Sequence, residues 1–281
     1  TPRDLAPLER LVLAALLGGL AALLLYQGWL WRWDRLLYDA QLQLLAEPAS
    51  EEIVIIGIDE QSLAEFGRWP WQRDIHAELL DRLAQEKPRV IALDIIFAEP
   101  DQANPRGDRR LAAAIGRNGN VVLPVLMEQR RQGGIPAETL PYPLFAEQAV
   151  AMGHVHVELD PDGIARRMYL YEGLGGSYWP HLTMVMMQVA GIAVPIYPET
   201  IDEGKTSPGV WYRDRQLLIP YTGPPGNFPQ LSYEQVLRGD YIPGTFTDKL
   251  VLVGVTAAGL GDALPTPVSG YSHSMPGVEI N

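Results

Sequence analysis

Two continuous apolar runs with a helical segment between them limit what this chain can fold into. The runs Ile53–Ile58 and Val90–Phe97 are apolar at nearly every position, which is typical of strands covered on both faces in a parallel sheet. Between them, residues 73–85 carry apolar side chains at helical spacing, and Pro88 ends that helix. This order predicts a right-handed strand-helix-strand crossover.

A third apolar run, Lys249–Val255, predicts another buried strand of the same sheet. Residues 153–159 alternate between apolar and polar side chains, and a turn at 160–163 separates them from a second segment at 164–171. That pattern predicts a hairpin. We therefore predict an α/β fold with a largely parallel central sheet, flanking helices and an inserted β-hairpin.

One transmembrane helix is predicted ahead of this α/β fold. Residues 11–31 contain no charged side chain, and a helix of that length spans about 30 Å, the thickness of the hydrocarbon layer. A cleaved signal peptide is the alternative, but its apolar run is usually only about 7 to 15 residues long. Residues 32–48 continue the helical pattern and are predicted to form a stalk. Residues 49–281 then form one folded domain.

Small residues spaced four apart offer a surface for association of this membrane helix. Ala14 with Gly18, and Ala15 with Gly19, would let two such helices approach closely. We therefore expect a homodimer. The alternative is a membrane helix that is rich in Gly and Ala without that role.

Composition and charge exclude some classes of function. The formal net charge is −12 and the pI is about 4.9, which argues against binding to nucleic acid. The spacing of Gly254 and Gly259 lacks the Lys and Ser or Thr of a phosphate-binding loop, and no cofactor is expected. The chain has no cysteine, which is compatible with an oxidising compartment.

Four motifs resemble those of the type-two CHASE domain, the extracytoplasmic sensor of bacterial cyclases and histidine kinases. They lie at Ile58–Leu63, Gly67–Arg73, Leu93–Asp101 and Val251–Asp262. The resemblance implies a sensory input domain and no enzyme in this segment, anchored in the bacterial inner membrane with its start cytoplasmic. It also implies that further membrane helices and a cytoplasmic output domain follow, such as a histidine kinase or an adenylate, guanylate or diguanylate cyclase. It names no ligand.

Acidic, basic and aromatic residues gather where the predicted parallel strands end. The carboxyl ends of parallel strands share the edge at which open α/β sheets bind ligands, so we expect a site for a small molecule or an ion there. The predicted site residues are Asp59, Glu60, Arg68, Trp69, Trp71, Arg73, Asp94, Glu99, Asp101 and Asp262. The same groups could instead serve the fold, with acids capping helices and arginines neutralising them.

Two further functions stay open at the level of sequence. Asp59, Asp94 and Asp262 could hold Mg²⁺ in a metal-dependent phosphohydrolase. However, no Asp-x-Asp pair follows the first strand and no Ser-His-Asp pattern is present, so no catalytic residue is predicted. A structural ectodomain that binds a partner protein through residues 127–150 is the other alternative.

His154, His156 and Glu158 are weak candidates for a metal site. Residues two apart share a strand face, and neutral imidazoles can ligate zinc. A solvated strand face produces the same alternation, and the sequence offers no fourth ligand. The sequence therefore does not predict a metal site here.

Overall fold

The computed structural model describes residues 7–26, 31–45, 48–129, 136–194, 209–260, 263–270 and 274–281. The chain divides into two compact units, Thr1–Ala46 and Glu47–Asn281. The first unit contains helices α1 (Pro7–Tyr26) and α2 (Trp31–Leu45).

The described residues contain no helix with both the length and the apolar character needed to cross a membrane. The anchor predicted at residues 11–31 is therefore not confirmed. Residues 27–30 of that segment lie outside the described residues.

The described part of the second unit combines helices with two larger β-sheets and one two-stranded β-sheet. Its helices are α3 (Glu60–Phe66), α4 (Arg73–Glu86), α5 (Pro105–Asn118), α6 (Pro143–Ala146), α7 (Leu182–Val189), α8 (Tyr233–Arg238) and α9 (Gly277–Ile280). Its strands are β1 (Ile53–Ile58), β2 (Val90–Leu93), β3 (Val121–Gln129), β4 (Pro136–Thr139), β5 (Ala151–His154), β6 (Val157–Leu159), β7 (Ala165–Leu174), β8 (Trp179–Pro180), β9 (Trp211–Leu218), β10 (Gln230–Ser232), β11 (Leu250–Val255), β12 (Ala263–Leu264) and β13 (Met275–Pro276).

The main sheet has seven strands in the described part of the chain. Their order is β10-β1-β11-β2-β3, and both β4 and β5 pair with β3. All of these pairings are parallel except that between β3 and β4. Leu250 of β11 lies opposite Ile53 on one side and Val90 on the other. The prediction of a largely parallel central sheet is confirmed.

Both faces of the main sheet are covered, which explains the continuously apolar strands. On one face, Ile56 and its neighbours pack against buried side chains of α4, α5 and α8. On the other face, Ile55 and its neighbours pack against α7 and α9. Each fully buried Leu in these layers, such as Leu79 or Leu182, stabilises the fold by about 1.5–3 kcal/mol.

A second, antiparallel sheet contains the predicted hairpin. β6 pairs with β7, and β7 also pairs with β8 and β9. The predicted single strand over residues 153–159 is wrong, because the segment is divided between β5 in the main sheet and β6 in the second sheet. Residues 151–154 stay in the main sheet, where they pair with β3 and pack closely against α7. A Cβ atom on Gly153 would lie 2.8 Å from Cα of Leu182, so β5 is pressed against the start of α7.

The predicted end of the second apolar strand differs from the observed one. β2 ends at Leu93, although the N-H of Asp94 still donates to the carbonyl of Val253 at 2.7 Å. α5 begins at Pro105, and the side chain of Asn104 caps it by accepting a hydrogen bond from the Gly107 N-H at 3.1 Å. Asp108 is buried inside the first turn of this helix.

Candidate functional site

The predicted acids at the carboxyl edge of the main sheet divide between two clefts. Asp59 and Glu60 line one cleft, and Asp94 lines another. β11 lies between the strands that carry them, and its last residue, Val255, lines both clefts. The edge therefore does not gather all of the acids into one cluster.

Asp59 is engaged in holding the fold together. Its Oδ1 atom accepts hydrogen bonds from the Ser62 N-H at 2.9 Å and the Ser62 hydroxyl at 2.6 Å, which caps α3. The hydroxyl of Ser232 donates to the same oxygen at 2.9 Å. Because Ser232 ends β10 and is the N-cap of α8, this carboxylate ties two helices and two strands together.

Glu60 has a comparable structural contact. Its Oε1 atom accepts a hydrogen bond from the Ala258 N-H at 2.8 Å, and this fixes the turn that follows β11. With Asp59 used as a cap, these two acids support the fold, as the structural alternative predicted. Asp59 and Asp94, two of the three acids of the phosphohydrolase alternative, line different clefts.

The second cleft has a volume of about 580 Å³ and a mixed lining. Polar groups and aromatic rings meet here at the carboxyl ends of β2 and β11. Its lining includes Trp69, Arg73, Asp94, Phe97, His156 and Asn281. Three of the predicted site residues are thus brought together, and we call this space the Arg73 cleft.

The loop before α4 contains two tryptophans with different roles. One is buried in the core, and the other lines the cleft. Trp71 is buried, and its indole N-H donates to the carbonyl of Gly67 at 3.0 Å. Trp69 lines the cleft, and its ring packs edge-on against Trp71 and His76 at centroid distances of 5.2 and 5.7 Å. The peptide bond between Trp69 and Pro70 is cis. Packing against Trp71 holds Trp69 at the cleft wall.

His76 lies behind this wall, and the sequence did not single it out. It is fully buried, and its Nδ1 atom lies 2.8 Å from the hydroxyl of Tyr233. Burial, with a smaller contribution from the nearby charge of Arg73, lowers the pKa of His76 to about 3. The imidazole is therefore neutral at ordinary pH and serves as part of the aromatic core.

Arg73 places a largely buried positive charge in the cleft. Its guanidinium lies 4.6 Å from the centre of the Phe97 ring, and its Nε atom lies 3.7 Å from Oδ1 of Asp108. Burial lowers the pKa of Arg73, and the charges of Asp108 and Asp101 oppose that effect. Asp101 supports this arrangement, because its N-H donates to Oδ2 of Asp108 at 2.8 Å.

Asp94 and Asn281 form the opposite polar group of the cleft. The carboxamide of Asn281 donates to Oδ2 of Asp94 at 3.0 Å. Arg73 lies within ion-pair distance of Asp108, with Nε 3.7 Å from Oδ1. Asp94 is half-buried, so its carboxylate retains access to the cleft.

The remaining predicted site residues lie elsewhere. Arg68 and Glu99 are exposed and do not line the Arg73 cleft. Asp101 forms the turn before α5, where its Oδ1 atom accepts from the N-H groups of Ala103 and Asn104. Asp262 lies outside the described residues.

His156 reaches the cleft, and the structure does not place it with His154 and Glu158. Its Nδ1 atom lies 3.0 Å from Oε1 of the buried Glu172, and Glu158 instead accepts from Arg213 at 3.1 Å. His154 is buried against His181, with ring centroids 5.0 Å apart. The expected common strand face is wrong because residues 155–156 interrupt the strand. Among the described residues, no three His, Cys, Asp or Glu side chains form a group that could hold a metal ion.

Glu172 and Asn281 are the polar residues that sequence reasoning missed. Glu172 also accepts from the indole N-H of Trp211 at 3.2 Å and lies 3.5 Å from Nε of Arg213. The sequence does mark Glu172, because it is a carboxylate within the strongly apolar and aromatic stretch of β7. A carboxylate buried in such surroundings requires hydrogen-bond or charge partners. No local pattern marks Asn281.

Comparison with known proteins agrees with the family that the sequence motifs resemble. A family model described as the CHASE2 domain matches residues 12–281. No curated protein and no solved structure shows significant similarity to the chain. The chain belongs to the CHASE2 domain family, a family of extracellular sensory domains of signalling receptors.

Proposed function

We propose that residues 49–281 are the extracytoplasmic sensory input domain of a bacterial membrane receptor, and that the Arg73 cleft is its ligand site. The observation that carries this proposal is the cleft itself. It combines a buried cation, a carboxylate and aromatic walls at the carboxyl edge of a parallel sheet, where α/β folds bind small molecules. Family membership supplies the sensory role.

The positions of the cleft residues suggest how a bound ligand would act on the domain. Arg73 begins α4, and His156 contacts Glu172 of the second sheet. A ligand that contacts both side chains would bind across the main sheet and the second sheet. It would therefore stabilise one arrangement of the two sheets over other arrangements of them.

The membrane arrangement is part of the same proposal. Residues 11–31 would anchor the chain in the inner membrane, residues 32–48 would form the stalk, and two copies would associate through the small residues near Gly18 and Gly19. The support is the uncharged run at 11–31 and the spacing of its small side chains. The proposed orientation leaves the start of the chain in the cytoplasm.

Cysteine labelling in cells tests the orientation. The native chain has no cysteine, so a single introduced cysteine is the only thiol that can react. Arg68→Cys, at an exposed position, should react with a membrane-impermeant maleimide in intact spheroplasts. Glu9→Cys, ahead of the proposed anchor, should react only after lysis. Labelling of Glu9→Cys alone in intact spheroplasts would overturn the orientation.

Thermal unfolding tests the ligand site. The full chain would be screened with a panel of amino acids, organic acids, sugars, nucleotides and divalent cations. At least one compound should raise the unfolding midpoint saturably, as expected when a ligand binds the folded state. Val157→Trp would fill the cleft and should abolish the shift, whereas Leu159→Trp, exposed on the same strand, should not. A panel without any effect, or an equal shift in Val157→Trp, contradicts the assignment.

A further inference from the structure

The Arg73 cleft contains a buried donor that is not satisfied by the described residues. Nε of Arg73 and Oδ1 of Asp108 are both buried and make no hydrogen bond there. Their separation of 3.7 Å balances charge but exceeds hydrogen-bond length. The side chain of Arg73 is 16% exposed, and it lines the cleft. A guanidinium in this state favours a carboxylate, which can accept two parallel hydrogen bonds.

The opposite group of the cleft carries an unsatisfied acceptor. Asn281 uses its Nδ2 atom to donate to Asp94, and its Oδ1 atom is buried without a hydrogen bond to the described residues. Both side chains line the cleft. A carboxamide oxygen beside a carboxylate provides acceptors only, so it favours a ligand group that donates hydrogen bonds and carries positive charge.

Apolar side chains lie among these two polar groups. Trp69, Phe97 and Leu260 line the same cleft, whose volume of about 580 Å³ falls within the range of small-molecule sites. A ligand with charged groups and an apolar substituent would match all three parts of the lining.

We propose that the Arg73 cleft binds a small zwitterion such as a free α-amino acid, with its carboxylate at Arg73 and its ammonium group at Asp94 and Asn281. This inference rests on the proposed function of the cleft as the ligand site. It adds the chemical class of the ligand. The apolar substituent packs against Trp69 and Leu260.

Binding of amino acids and their derivatives to the full chain tests the chemical class of the ligand. The twenty proteinogenic amino acids are first compared by their effect on the unfolding midpoint. The most effective one is then compared by calorimetry with its amide, its N-acetyl derivative and its α-hydroxy analogue. Each derivative lacks one of the two charges, and each should bind at least about tenfold more weakly than the amino acid.

Two variants assign the charges of the ligand to their partners. Arg73→Gln should remove most of the preference for the amino acid over its amide. The control Arg68→Gln changes an arginine of the same loop that does not line the cleft, and it should leave that preference unchanged. Asn281→Ala should reduce the preference for the amino acid over its α-hydroxy analogue. Asn281→Ala leaves no buried charge behind, so it provides a test even where Arg73→Gln fails to fold. A general loss of stability would lower binding of all analogues alike.

The outcomes separate this inference from the function on which it rests. A compound without a carboxylate and an ammonium group that binds, and that Val157→Trp excludes, overturns the zwitterion and supports the ligand site. An amino acid that binds Arg73→Gln and Asn281→Ala with unchanged preferences also overturns the inference. Absence of any Val157→Trp-sensitive ligand overturns both.

Discussion

Nδ1 of His156 lies 3.0 Å from Oε1 of Glu172, so a side chain that lines the Arg73 cleft contacts a buried carboxylate of the second sheet. Glu172 is completely buried, and Trp211 and Arg213 also contact it. The network satisfies a charge that would otherwise be costly in this position. It also gives a cleft-lining imidazole a rigid partner.

Removal of the buried carboxylate should therefore destabilise the domain strongly. Glu172→Ala leaves the charge of Arg213 without a buried partner, and we expect the free energy of unfolding to fall by about 3–5 kcal/mol. Glu158→Ala removes the more exposed partner of the same arginine and should cost less than about 1 kcal/mol. Urea unfolding of both variants measures the difference. Equal losses would show that Glu172 is not the structural partner we describe.

The buried histidines predict how stability depends on pH. Burial lowers the pKa of His76 to about 3 and that of His181 to about 4, below the value of about 6.5 in an unfolded chain. As the pH falls below about 6.5, the unfolded state binds protons that the folded state excludes. Stability should therefore be greatest above that pH and should decrease towards pH 4.

Histidine variants measured against pH test this expectation. When the pH is lowered from 6.5 to 4.5, each buried histidine should reduce the free energy of unfolding by up to about 2.7 kcal/mol. His76→Asn and His181→Asn should each flatten the decline in unfolding free energy over this range, whatever they do to stability at pH 7. If the free energy of unfolding declined as steeply in both variants as in the wild type, these histidines would not be the cause of the pH dependence.

The cap formed by Asp59 is the basis of another prediction. Asp59→Ala should lower the free energy of unfolding by about 1–2 kcal/mol, because α3 loses its cap and Ser232 loses an acceptor. Ser62→Ala should act through the same network, so the double variant should cost less than the sum of the two single variants. Strict additivity in denaturant titrations would mean that the hydroxyl and the carboxylate act independently.

Two glycines should respond in opposite ways to alanine. A Cβ atom on Gly153 would meet backbone atoms of Leu182 and Pro180 within 3 Å, so Gly153→Ala should cost about 1–3 kcal/mol. A Cβ atom on Gly116 would meet the flexible side chain of Gln148, which can move. Because Gly116 lies inside α5, Gly116→Ala should be neutral or stabilising by up to about 1 kcal/mol. Unfolding midpoints of the two variants give the comparison.

The central strands could be predicted from sequence because burial on both faces leaves a strong pattern. β1, α4 and β11 were predicted close to their observed bounds, and so was the largely parallel sheet that contains these strands. α3 and β10 were missed. The first has seven residues and the second has three, which is too short for a periodic pattern to stand out.

The site could be predicted only in part. The ends of the strands show which edge of the sheet carries the polar residues, but they do not show how those residues divide between two clefts. Trp69, Arg73 and Asp94 were predicted and do line one cleft. The use of Asp59 as a cap depended on α3, which the sequence did not reveal. His156 and Asn281 enter the cleft through tertiary contacts, His156 where β5 and β6 separate and Asn281 from a distant part of the chain.

The place of β11 between β1 and β2 has a consequence for the order of folding. β1 and β2 are synthesised long before β11, and neither can obtain its partner on that side until residues 250–255 emerge. The strand edges stay open during synthesis and export, and open edges are prone to mispairing. The sheet closes at its centre last, so its assembly depends on contacts between segments distant in sequence, which form slowly. We therefore expect chains shortened before residue 250 to be substrates for chaperones and proteases.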